Sequence, residues 1–170
     1  MSDLTFSMGK FEAHFPTDRL YSQHHMWVQP VDGRAEMNSS DAQDCEAPTS
    51  LSGRRCRVGL TAYSVRLLQD VYFLDWALDP PATVARRQEI GEVESSKAVS
   101  SLYAPVAGEL LAFNDALMQE PELLNTDHYG SGWLLEMTPQ GELLQPAAYV
   151  RLLGEIWEST QRTLQGQANA

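Results

Sequence analysis

Apolar residues recur along this 170-residue chain in short bursts separated by turn-forming stretches, a pattern that predicts many short strands and few helices. Residues 1–20 show no clear period and are read as an extended arm or irregular cap. Ordered structure is expected to begin at Tyr21 to Val28, with His25, Met26 and Trp27 in a strand. Further strands are predicted at Cys56 to Leu60, Val71 to Trp76, Ile90 to Glu94, Ala98 to Tyr103, Val106 to Phe113 and Trp133 to Met137. Thr61 is a plausible N-cap for a short helix through Gln69. Asp115 to Leu124 reads as a second short helix interrupted by Pro121. Pro146 to Leu164 has the spacing of an amphipathic helix, with Val150, Leu153, Ile156, Trp157 and Leu164 near one face. The fold class is therefore mainly β, a compact sandwich or barrel with helices at its margins.

Val31 to Arg55 breaks the pattern. Gly, Ser, Asn, Asp, Pro and Thr dominate it, and so little apolar surface cannot offset the entropy of ordering, so a long mobile loop is expected. Loops of this length are uncommon in compact domains and are often functional. The expected organisation is an arm over 1–20, one domain over 21–164 interrupted by the insertion 31–55, and a tail over 165–170.

Charge narrows the functions. The net charge of −11 argues against nucleic acid and against anionic membrane surfaces, both of which attract Lys/Arg excess. No run approaches the roughly 20 apolar residues of a membrane span and no basic-then-apolar leader opens the chain, so a cytoplasmic location is expected. His14, His24, His25 and His128 have no metal-ligand spacing, and neither a phosphate-binding Gly loop nor a Ser-His-Asp arrangement is apparent, so a stand-alone enzyme is not expected. Of the twelve basic residues only Lys10 and Lys97 are lysines. An amine can be acylated once deprotonated, whereas a guanidinium is a poor nucleophile, which singles out Lys97 between two strand-like runs.

The segment around that lysine, Gly91-Glu92-Val93-Glu94-Ser95-Ser96-Lys97-Ala98-Val99-Ser100, resembles the lipoylation hairpin of the glycine cleavage H-protein family, Val-Glu-Ser-x-Lys-Ala. Three more segments agree in the family's order. His25-Met26-Trp27-Val28 resembles its His-Glu-Trp-Val strand, and Val58-Gly59-Leu60-Thr61 its Val-Gly-Ile-Thr strand. Asn125-Thr126-Asp127-His128-Tyr129-Gly130-Ser131-Gly132-Trp133 resembles its Asn-x-Asp-Pro-Tyr-Gly-x-Gly-Trp segment. The resemblance spans about Tyr21 to Met137. It implies a lipoyl-domain-like barrel-sandwich hybrid and a non-catalytic carrier, with lipoate amide-linked to Lys97. Its implied partners are a lipoate-attaching enzyme, dihydrolipoyl dehydrogenase and the enzymes that load and unload the arm. Biotin carriers also present lysine on a hairpin, but with Met on both sides, where this chain has Ser96 and Ala98.

Two departures matter. The family has an acid between the His and Trp of the early strand and commonly an Asp four residues after the lysine; here Met26 and Ser101 stand there. A cationic aminomethyl cargo would favour carboxylates in its shelter, and Glu94 or Asp75 are candidates to compensate. The second departure is the insertion, which carries Cys45, with Cys56 just beyond it. These are open to three readings: ordinary reduced thiols, a disulfide, or a thiol that exchanges with a dithiolane. Taken together, the departures resemble the lipoate-binding H-like proteins that accompany heterodisulfide-reductase-like complexes in sulfur oxidation. The expectation is a sulfur carrier, with aminomethyl transfer in glycine cleavage as the alternative.

Overall fold

The computed structural model describes residues 3–32, 48–51 and 53–168, with side chains to Ser159. The strands are β1 (Leu4–Met8), β2 (Phe11–Phe15), β3 (Leu20–Tyr21), β4 (Met26–Pro30), β5 (Thr49–Ser50), β6 (Cys56–Leu60), β7 (Val71–Trp76), β8 (Ala82–Val84), β9 (Glu89–Ser95), β10 (Val99–Tyr103), β11 (Gly108–Phe113), β12 (Leu135–Pro139) and β13 (Glu142–Leu143). The helices are α1 (Ala62–Leu68), α2 (Ala116–Gln119), α3 (Leu123–Thr126) and α4 (Pro146–Ala168). None among the described residues is long and apolar enough to cross a membrane.

A six-stranded antiparallel sheet, β3-β4-β6-β12-β11-β8, faces a three-stranded one, β10-β9-β7. Between them lies one apolar core drawn from both, including Val28, Val58, Leu74, Ile90, Val93, Leu110 and Met137, all nearly inaccessible. The fold is the mainly β, barrel-sandwich type expected, with marginal short helices and a C-terminal helix.

Residues 1–20 correct the expectation of an irregular arm. Leu4, Phe6 and Met8 alternate with polar residues, as do Phe11, Ala13 and Phe15, and the two runs pair as a hairpin across Gly9-Lys10. Gly9 sits at φ 67°, a conformation that costs a residue without Cβ little. The hairpin's apolar side joins a second cluster with α1 and α4, where Phe15, Tyr21 and Tyr149 are fully buried. Tyr149 stacks on Tyr21 at 4.7 Å and meets Phe15 edge-on at 5.4 Å.

The insertion also needs correction where it is described. Thr49–Ser50 pairs with Glu142–Leu143, and Leu51 is buried in the main core. The Val31 N–H donates to the Arg55 carbonyl, and Arg54 pairs with Asp32 at 3.0 Å. The two ends of the segment are thus pinned together. Residues 33–47, with Cys45, lie outside the described residues, as do 169–170; of the tail expected over 165–170, residues 165–168 instead continue α4. Tyr21 to Val28 is no single strand: Ser22–His25 turns between β3 and β4, with His25 at φ 70°. His25, expected in the strand with Met26 and Trp27, therefore lies in the turn before it.

Candidate functional site

The site is built on the turn between β9 and β10. Glu94 pairs with Val99, so residues 95–98 span the connection, whose tip carries an exposed Lys97. Small polar side chains brace this turn from within. Ser95 is 8% exposed, and its Oγ accepts from the backbone N–H of Lys97 (3.3 Å) and of Ala98 (3.4 Å). The same hydroxyl donates to the Ala98 carbonyl at 3.2 Å. Ser96 straps the tip to β7: its N–H donates to the Asp70 carbonyl (2.8 Å), while its Oγ accepts from the Asp70 N–H (3.3 Å). The backbone under Lys97 is therefore fixed while its side chain is left to solvent.

Three distant segments support the tip. Asn125 accepts the Val71 N–H on its Oδ1 at 2.9 Å and donates through Nδ2 to the Gln69 carbonyl. Through Asp70 and Ser96, the loop at 125–133 thus fixes the start of β7 and, with it, the hairpin. Trp27 donates from Nε1 to the His128 carbonyl (2.9 Å), and Arg19 lies over its ring at 4.7 Å. Gly59 stands opposite Trp27 in the β4–β6 ladder because the indole occupies the space a Cβ would take. The four segments singled out in the sequence meet in one structure. The sequence reading missed Ser95 and Ser96 as braces and Asn125 as their anchor; the polar dipeptide before an exposed lysine was the available signal.

Beside the tip opens a cleft of about 270 Å³ lined by Lys97 and, from five elements, by Met26, Leu60, Leu67, Val93 and Leu102, with Ser64, Ser95, Ser100 and Ser101 among them. Met26 and Ser101 both face it, as the comparison of patterns required. No carboxylate is among its lining residues. Glu94 and Asp75, the compensating acids considered from sequence, are not on its wall. One lining residue contacts a carboxylate: Glu89 Oε1 accepts from the Ser101 hydroxyl at 2.6 Å at the exposed rim. His24 also lines the cleft. Partial burial, then the neighbouring Arg87 and Arg86, hold its imidazole below the usual histidine range.

An exposed amine on a braced turn, next to an apolar cleft, suits a long hydrocarbon arm ending in a dithiolane. The comparisons agree. The glycine cleavage H-protein family model matches residues 50–155. The chain belongs to that family. Its members are non-catalytic carriers of lipoate held covalently on a lysine. The glycine cleavage system H protein of Chromobacterium violaceum is 41% identical over 147 residues, covering 84% of this chain and 98% of that protein. The H protein of Corynebacterium jeikeium is 39% identical over 136 residues, covering 79% and 93%. A crystal structure of the Mycobacterium marinum H protein superposes with a TM-score of 0.66 at 32% identity, covering 82% of this chain and 99% of that one.

These relatives do not support the expectation of a sulfur carrier serving a heterodisulfide-reductase-like complex. Nor is Cys56 placed or ionised to exchange with a dithiolane. Cys56 is fully buried, its Sγ donates to the Arg54 carbonyl at 3.4 Å, and burial pushes the thiol up to about 12, so little thiolate exists near neutral pH. It also stands at the far end of β6 from Leu60, the cleft residue, some ~13 Å along the strand.

Proposed function

We propose that this chain is the lipoyl carrier of a glycine cleavage system, holding the lipoyl group as an amide on Lys97 and passing an aminomethyl group between partner enzymes. The observation that carries the reading is the exposed Lys97 on a turn clamped by Ser95 and Ser96 beside an apolar cleft. The lipoyl group, when bound, supplies the thiols that carry the intermediate and undergo the redox step. The chain's own residues do the rest. Ser95, Ser96 and Asn125 fix the direction of attachment, so the arm sweeps a defined volume. Met26, Leu60, Leu67, Val93 and Leu102 offer apolar cover that excludes water from the cargo. The Ser101–Glu89 pair places a carboxylate at the rim, where a cationic amine is steadied. Lipoate attachment, decarboxylation of glycine, transfer of the one-carbon unit and reoxidation by dihydrolipoyl dehydrogenase are the partners' chemistry. A cytoplasmic setting, which keeps thiols reduced, fits a dithiol carrier.

With only two lysines the test is clean. Intact mass after incubation with a lipoate-attaching enzyme is expected to rise by one lipoyl group. Lys97→Arg is expected to abolish the gain without loss of fold, and Lys10→Arg to leave it unchanged. A lipoylated Lys97→Arg protein would sink the assignment. The loaded wild-type chain is expected to support glycine-dependent release of carbon dioxide with glycine decarboxylase.

A further inference from the structure

The β7–β9–β10 sheet has two faces: the inner one packs on the core, and the outer one meets the cleft only along the edge strand β10, where Ser101 and Tyr103 also line it. On the outer face the register places Phe73, Glu94 and Val99 in one row and Asp75, Glu92 and Ser101 in the next, followed by Glu89 opposite Tyr103. Tyr72, Phe73, Val99 and Tyr103 are 59%, 53%, 62% and 43% exposed, and all four carboxylates are exposed. Large apolar side chains left this open are uncommon enough to need a reason when they gather on one small sheet.

Two local features are costly for a surface with no partner. Asp75 and Glu92 are directly opposite each other, and like charges in that position repel. Among the described residues no ion pair engages Asp75, Glu89, Glu92 or Glu94. In addition, the register shifts between Val71 and Phe73, and Tyr72 and Phe73 are both exposed where strict alternation would bury one. The row nearest the turn, Glu94–Val99, flanks residues 95–98, so this face adjoins the point where Lys97 leaves the sheet.

We propose that this outer face docks the enzymes that load and unload the arm, and that their contact surface is an apolar seat ringed by arginine and lysine. A second copy of this chain is a poor occupant, because a two-fold contact would bring the carboxylates against their own counterparts. Nucleic acid and anionic lipid are repelled by the same charges. The proposal rests on Lys97 being the carrier residue, and it adds which surface the partners recognise and by what chemistry.

The test uses intact chains, each shown by mass to be fully lipoylated, with glycine decarboxylase and aminomethyltransferase. Asp75→Asn with Glu92→Gln is expected to raise the KM for the carrier at least tenfold at low salt, with kcat kept, and to flatten its salt dependence. Phe73→Ser with Val99→Ser is expected to raise the KM similarly with the salt dependence kept. Glu109→Gln with Glu142→Gln removes the same charge from β11 and β13 and is expected to change neither. The charge variant should melt no lower than wild type, since it relieves a repulsion, so a raised KM cannot be ascribed to unfolding. Unchanged KM in both face variants, or self-association of the wild-type chain that either variant abolishes, would overturn the docking assignment. Failure of wild-type Lys97 to become lipoylated would instead remove the carrier reading beneath it.

Discussion

His25 couples the turn that opens β4 to the C-terminal helix, and its titration should be visible in the stability of the whole domain. The ring lies 4.6 Å from Tyr63, and its Nδ1 is 2.9 Å from the Tyr149 hydroxyl, which is itself 2.9 Å from the Thr61 hydroxyl. A neutral imidazole satisfies this chain in either tautomer, with the Tyr149 hydroxyl donating to one neighbour and accepting from the other. Burial, and secondarily the neighbouring His24, lower the His25 pKa from 6.5 to about 4. Between those values the unfolded chain binds the proton and the folded one does not. Stability is therefore lost as pH falls from about 6.5 to about 4 and is unaffected by this group at higher pH. The shift of ~2.5 units corresponds to about 3.4 kcal/mol, and the ring's residual exposure reduces the expectation to roughly 2–3 kcal/mol. His25→Asn removes the titration while tolerating the positive φ. Urea unfolding at pH 7.5, 6.0, 5.0 and 4.0 should show wild type losing that much more than the variant across the window. His24 and His128 are lowered in the same direction and remain in both proteins, so the difference between the two curves isolates His25. Parallel curves would refute the reasoning.

Two substitutions test the packing and the cleft. In Gly59→Ala the new Cβ would lie 2.5 Å from the Trp27 ring, which is 1% exposed and tied to the His128 carbonyl, so overpacking is expected to cost about 3 kcal/mol and lower Tm by roughly 6–12 °C by calorimetry; an unchanged Tm would show that the indole can move. Ser101→Asp puts a carboxylate on the cleft wall, and one charge-assisted hydrogen bond to a methylamine-loaded arm, worth roughly 1.5–3 kcal/mol, should lengthen the adduct's lifetime by one to two powers of ten. No change in hydrolysis rate would mean the amine never reaches Ser101.

Much of this was legible in the chain, for reasons that differ by element. Strands β6, β7, β9 and β10 showed as apolar bursts because each is bounded by turn residues, and the turn at 95–98 lies within two residues of where the bursts implied. The β1–β2 hairpin was misread even though its alternation is regular, since its burial depends on Tyr149 and Leu153 of α4, far along the sequence. Thr49–Ser50 carries no apolar signal at all; only the backbone of Glu142–Leu143 makes it a strand. Tyr149 was left off the expected helix face, although it stacks on Tyr21 and closes the His25 chain. In the site, Lys97 was readable because its residue type and position matter, whereas Ser95, Ser96 and Asn125 act through hydrogen bonds that no local pattern records.

The period of two in β9 is what lets one short strand serve both the cleft and the partner surface. Val93 and Ser95 point inward to the cleft, and Glu92 and Glu94 point outward to the acidic face. A slip of one residue in the pairing would reverse this, sending carboxylates into the apolar cleft and Val93 into water. Such a slip is opposed on both sides. Val93 and Leu74 are nearly inaccessible in the core, and the register shifts at Val71/Phe73 and Leu102/Tyr103 pin β9 against each neighbour at a different point along its length. Ser101 stands in the Glu92 row yet reaches the cleft along the β10 edge, so with Met26 it leaves the cleft lining without a carboxylate while negative charge is concentrated on the outer face. Cargo shelter and the proposed docking surface thus lie on opposite sides of β9 and meet along the β10 edge. Away from that shared edge, a change in the charge of one can proceed without disturbing the other, provided the register of β9 holds.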